Sequence, residues 1–265
     1  MSSNFNKCSL AAAISAVLCA NAWAIEPQSI KLSDNLKFTP TLEVDQSFDD
    51  NIRAVEKNTQ SSWVTGVKPK FVLSTEGRNS AYALSYQLDN ETYASSHDDD
   101  HTDHHFDADA GFQFDARNKL KLNAGYDKVE DIANDNLVTT DNGLIVPQGN
   151  TGEPAKYTTT NAGGVYTFGA ASALAQLELG ANYEELRYQN SGDFNEDLER
   201  NTIPLRATGY YRVAPKTRLL LEGRNTNYDY INDSDSDSDS SAVLAGVTWD
   251  ATAKTSGTIK VGAEK

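Results

Sequence analysis

Four histidines, His97, His101, His104 and His105, sit together in one short polar stretch among Asp98, Asp99, Asp100 and Asp103. Imidazole and carboxylate donors at this density are the ligand types of zinc and related ions. No fixed ligand spacing accompanies them, and a loop must pay its ordering entropy before it binds, so the plainer reading is a solvated loop. The run from Asp233 to Asp239 alternates aspartate with serine. Its carboxylates suit calcium, but it lacks the glycine and terminal glutamate of an EF-hand, and a self-repelling surface loop is expected. Arg206, Arg212, Arg218 and Arg224 flank the turn at Pro215-Lys216. On neighbouring strands they form a basic ladder that either guides an anionic polymer or is neutralised by carboxylates such as Glu178 and Glu222. The chain carries no G-x-S-x-G, no H-E-x-x-H and no P-loop. Neither enzyme chemistry nor a cofactor is expected from it.

The elements that must position these groups alternate apolar and polar residues with period 2, the pattern of a strand between two solvents. Leu36, Phe38, Leu42, Val44 and Phe48 share one parity against Lys37, Thr39, Thr41, Glu43, Asp45 and Ser47. Ten further stretches repeat the pattern, ending with Ile259, Val261 and Ala263, so eleven strands are expected. Their connections alternate in length. Short turns fall near Arg78, Ala116, Ala170 and Pro215 and within 250–256, and long polar loops fall at 49–62, 94–103, 128–158, 187–199 and 231–240. Strands of roughly 9 to 11 residues joined alternately by short turns and long loops are the signature of an up-and-down transmembrane β-barrel. The aromatics sort by height. Phe71, Tyr82, Phe112, Phe114, Tyr166, Phe168, Tyr211 and Trp249 fall toward the short turns, and Trp63, Phe106, Tyr126 and Tyr183 toward the long loops. Two such bands are what two membrane interfaces select.

The remaining composition agrees. Lys7, the apolar stretch from Leu10 to Ala20 and Ala22-Trp23-Ala24 make a secretory signal peptide over 1–24, cleaved near Ala24, ahead of a barrel domain over 25–265. Both cysteines, Cys8 and Cys19, lie in the removed segment, so the exported chain has no disulfide. A formal charge of −15 excludes a nucleic-acid partner bound through its phosphates. The expected address is the outer membrane of a Gram-negative bacterium. The expected partners are outer-membrane lipid and lipopolysaccharide, the barrel assembly machinery and a polysaccharide export system. Barrels of this type normally have an even strand number, and Thr258–Lys265 ends without the usual terminal aromatic. Either a strand is hidden near Leu144-Ile145-Val146, or the chain is part of a larger barrel; the second is expected.

Phe38-Thr39-Pro40 opens the first strand, and Phe48-Asp49-Asp50-Asn51-Ile52-Arg53 closes it. In these segments the chain resembles the outer-membrane β-barrel "putative porin 2" family, which includes barrels of the EpsL type encoded with exopolysaccharide and capsule export systems. Phe38, Pro40, Phe48, Asp49, Asp50 and Asn51 carry the resemblance. It implies a role in passing or secreting extracellular polysaccharide, and strands beyond Lys265, as in a C-terminally truncated copy. The polar parity would then line the pore. Lys68, Lys70, Lys119, Lys121 and the four arginines face Asp107, Asp109, Glu178 and Glu184 there, among other carboxylates. Two alternatives share the architecture: a non-conducting structural or adhesin-like barrel, and an outer-membrane lipid hydrolase.

Overall fold

The period-2 stretches are strands throughout. The structure, a computed structural model, describes residues 28–54, 57–132, 137–139, 145–147, 154–170, 172–190, 196–232, 234–250 and 255–265. The signal segment with its cleavage site near Ala24 lies outside them. The elements are β1 (Ile30–Lys31), β2 (Leu36–Asp49), β3 (Ser62–Glu76), β4 (Ser80–Tyr93), β5 (His101–Gln113), β6 (Asn118–Asp131) and the short pair β7 (Leu137–Thr139) and β8 (Ile145–Pro147). They continue with β9 (Ala155–Phe168), β10 (Ala175–Tyr188), β11 (Arg200–Ala214), β12 (Thr217–Tyr230), β13 (Ser238–Asp250) and β14 (Ser256–Glu264).

One 12-stranded antiparallel sheet takes all of these except β7 and β8, each strand beside its neighbour in sequence. The eleven long strands of the sequence pattern are all present, and β1 adds two residues against the foot of β2. The apolar stretch near Ile145 is no hidden spanning strand, because β7 and β8 pair only with each other. The sheet is barrel-like and open, with β14 at one edge and β2, carrying β1, at the other. Among the described residues no helix is long and apolar enough to cross a membrane.

One parity of each long strand is apolar and stands exposed. Leu42, Leu221 and Val261 keep 66%, 62% and 70% of their surface open. In water so continuous an apolar face would be a severe liability; against lipid it is the surface a barrel must present. Aromatic pairs knit this face across strands: Phe38 stacks on Phe71 at 6.0 Å, and Phe48 meets Trp63 at 5.4 Å at the opposite end of the same strand pair. The ladder is broken where proline removes a donor. Pairing of β3 with β4 lapses around Pro69, and that of β10 with β11 lapses around Pro204. Pro40 sits in β2, a near-edge strand where a missing donor is tolerated.

The short turns are built tightly. Gly169 leaves β9 at φ +112°, a conformation other residues avoid. Between β5 and β6, one Oδ1 of Asp115 accepts from the amides of Arg117 (2.6 Å) and Asn118 (2.9 Å), while the Asn118 side chain donates to Oδ2. The Arg117 amide first, and then the Asn118 side chain, hold the Asp115 carboxyl below its ordinary range.

Two outcomes follow. Leu205→Arg, on the lipid face of β11, is expected to cost about 2–4 kcal/mol, whereas Asn123→Arg on the polar face should cost little; unfolding titrations in phospholipid vesicles measure both. Because folding lowers the Asp115 pKa, its contribution is complete above the unfolded carboxylate value and fades as pH falls through the folded one. The stability difference between wild type and Asp115→Ala should therefore be present at neutral pH and vanish in strong acid.

Candidate functional site

The polar parity forms the other face of the sheet, and strand register decides which groups meet there. On β11 and β12 the ladder is real: Arg206 lies opposite Arg224, and Arg212 opposite Arg218. Arg224 Nε donates to Glu222, and Arg218 donates to the Gln176 side chain at 2.7 Å. Glu178 accepts from the Tyr210 hydroxyl at 3.2 Å. The neutralisation expected of Glu222 thus occurs at Arg224, while Glu178 serves a tyrosine.

Glu222 is 1% exposed, the most enclosed carboxylate among the described residues. Thr208 donates to its Oε2 at 3.1 Å and Lys260 Nζ does so at 2.8 Å, so β11, β12 and β14 meet at one buried anion. A buried carboxylate survives only with partners of this kind. Lys260 reaches across β13 beside Gly246, where a Cβ would lie 2.2 Å from the Ile259 carbonyl oxygen. Lys260 belongs to the polar parity of the last strand, but nothing in the sequence pairs it with Glu222.

On the N-terminal half the same face is acidic. Lys68 lies 3.4 Å from Asp45 and 3.7 Å from Glu91. Asp107 accepts from Ser85, and the neighbouring polar-parity positions carry Asp89, Asp103 and Asp109. Lys70, Lys119, Lys121, Asp109 and Glu184 all take polar-parity positions, Glu184 accepting from Asn182 at 2.9 Å.

The histidine reading needs correction. Only His97 lies in a loop turn; His101, His104 and His105 belong to β5, which starts three residues earlier than the sequence suggested. At the headgroup level the lipid-facing parity stops being apolar, so a strand end loses its alternation and reads as loop. The strand then separates the histidines. His104 shares the outer face with Phe106 and lies 2.8 Å from the Tyr86 hydroxyl. His101 and His105 face inward, His105 between Asp127 (2.8 Å) and Asp89 (3.7 Å). Among the described residues no three His, Cys, Asp or Glu side chains converge as a metal ion requires. Of the acidic run, Asp233 lies outside the described residues. Asp237 accepts from the Tyr230 amide at 2.7 Å, and Asp239 begins to pair in β13, so these carboxylates cap and start a strand.

The residues of the family resemblance build a cap at the long-loop end. Asp49 accepts from the Asn51 amide at 2.8 Å, turning the chain, and Asp50 follows it into the turn. Ile52 then points back onto the polar face, 3% exposed against Val64 and Tyr93, with Ile132 beside them. Arg53 donates from one nitrogen to both oxygens of Asp99, at 2.9 and 3.1 Å, tying the first long loop to the second. Asp99 is 2% exposed, and its carbonyl accepts from His101 Nδ1 at 2.9 Å. The Tyr93 ring stacks on His101, and its hydroxyl donates to Glu91 at 2.9 Å. The sequence displayed Ile52 and Arg53 in the motif; that they fold inward depends on loop contacts that no period announces.

Residues 36–265 match the family described as "Putative beta-barrel porin 2". No curated protein matches the chain. Among solved structures, the translocator domain of the autotransporter NalP from Neisseria meningitidis is similar at 12% identity, over 96% of this chain and 87% of that one, with a TM-score of 0.35.

Asp99→Asn should release the cap while leaving the Arg53–Ala54 bond intact as a trypsin site. Peptide mapping of the folded protein is expected to show cleavage after Arg53 at least about tenfold faster than in wild type, since breaking a largely buried ion pair costs well over 1.4 kcal/mol.

Proposed function

The chain belongs to that β-barrel porin family, and we propose that this outer-membrane barrel is a channel that passes, or helps to secrete, extracellular polysaccharide. The observation that carries the reading is the arginine ladder. Arg206, Arg212, Arg218 and Arg224 line adjacent strands on the polar face in register, with one carboxylate, Glu222, drawn into their midst. Charged side chains along a wall set which ions and polymers enter. Two rungs of guanidinium groups on the turn-proximal half of a hairpin give an acidic polymer successive contacts of similar kind, so that it is held without being trapped. The rest of the wall, rich in Asp, Asn and Thr, offers hydroxyl and amide partners suited to a hydrated chain. The export apparatus, lipopolysaccharide and the assembly machinery are the partners this reading assigns.

One observation favours a second reading. The cap over the long-loop end and the buried Glu222 cluster both occupy space on the polar face, as they would in a non-conducting structural or adhesin-like barrel.

Planar-bilayer recordings separate the two. Wild type should give ohmic steps. The triple variant Arg206→Gln, Arg212→Gln, Arg218→Gln, which spares the Arg224 partner of Glu222, should shift the permeability ratio toward cations and lower polysaccharide in the culture medium. Unchanged selectivity would remove the guiding role, and silence in both proteins would favour the structural barrel.

A further inference from the structure

The aromatic residues divide by face. Every described phenylalanine and tryptophan stands on the apolar parity, whereas Tyr93, Tyr157, Tyr188, Tyr210, Tyr228 and Tyr230 stand on the polar one. Packing alone does not require aromatic rings on a wall lined by aspartate, asparagine and threonine. Two of these tyrosines are cross-strand partners near the long-loop end: Tyr157 of β9 and Tyr188 of β10, their ring centroids 5.7 Å apart and tilted by 52°. They border a cavity of about 500 Å³ whose lining includes Asp131, Asn161, Glu184 and Arg200. The volume is in the range of small-ligand sites.

The polar groups around this cavity are positioned by neighbours that leave part of their capacity unused. The hydroxyls of Tyr157 and Tyr188 hold no hydrogen bond among the described residues. Asn161 accepts from Asn123 at 3.2 Å and its amide hydrogens make no bond among the described residues, and Glu184 spends one oxygen on Asn182. Arg200 lies 5.9 Å above the Tyr230 ring and gives one nitrogen to the Leu198 carbonyl, and its guanidinium makes no other hydrogen bond among the described residues. Two apolar ring faces beside convergent amide, carboxylate and guanidinium groups are complementary to a pyranose. Its C–H faces are apolar, and its rim of hydroxyls both donates and accepts.

We propose that Tyr157 and Tyr188, with Asn161, Glu184 and Arg200, form an oligosaccharide subsite at the long-loop end of the polar face, binding a pyranose ring of a chain in transit. The assignment rests on the polysaccharide reading above and names where on the wall the polymer is held. The site lies beside Arg200, at the outer end of the strand that carries Arg206 and Arg212, so a sugar leaving the ladder meets it next.

The test measures binding without requiring conduction. Detergent-solubilised protein is titrated calorimetrically with maltohexaose and with a hexameric oligogalacturonate, using wild type, Tyr157→Ala, Tyr188→Ala, Tyr157→Phe and Tyr188→Phe. The heat-modifiable gel mobility of each variant confirms a folded barrel. At least one hexamer should bind wild type, each alanine variant should weaken it by about tenfold, and the phenylalanine variants, which keep the ring, should weaken it less. Binding that survives both alanine substitutions in folded protein, or no binding of either hexamer to wild type, overturns the subsite. Sugar binding by a protein that passes no current would overturn the channel reading and leave the subsite standing.

Discussion

A strand that meets hydrocarbon has no water to satisfy its amides, so each N–H and C=O must find its partner on an adjacent strand. That requirement organises everything else in this protein. It dictates a single continuous sheet with neighbours in sequence order, the arrangement that the antiparallel pairs from β2 to β14 display. It also explains how irregularities are handled. Pro69 and Pro204 interrupt pairing on one side only, while on the other side each keeps its register with β2 and β12 respectively.

With the backbone so committed, the side chains are free to divide between two solvents, and chemistry is confined to one of them. The polar face is far from uniform. Carboxylates gather on β4 and β5, arginines on β11 and β12, and the two sets are separated by β9, whose inward positions are small or uncharged. Where a charge is enclosed, it is met from several strands at once, as Glu222 is by Thr208, Arg224 and Lys260. Where it faces the open interior, as at Arg206 or Asp109, the side chain stands exposed.

The sequence made the architecture legible because a strand between lipid and water writes its orientation into every second residue. The eleven strands, the alternation of short turns with long loops and the lumen-facing ladder all follow from that one period. The same rule faded where the membrane ends. His101 and His105 continue the inward parity of β5, yet their outward neighbours Thr102 and His104 are polar too, so the alternation that marks a strand is absent there. Contacts distant in sequence were equally hidden. Nothing in the order of residues announces that Arg53 reaches Asp99 or that Lys260 reaches Glu222, since each depends on register across the sheet. Tyr157 and Tyr188 were readable as strand residues only after the pairing of β9 with β10 placed them side by side.

The anion at Glu222 bears on how the molecule is put together in time. Its two cationic partners come from different moments of the chain: Arg224 sits two residues away on the same strand, whereas Lys260 arrives 38 residues later on β14. Until β14 docks against β13, the carboxylate has a single positive neighbour and a half-built enclosure. Docking of β14 on β13 brings in a second cation and shuts out water together, so that step carries an electrostatic reward that the β11–β12 hairpin alone lacks. A chain whose β14 is misregistered by even one residue would turn Lys260 toward lipid and forfeit that reward, making this strand its own proofreader.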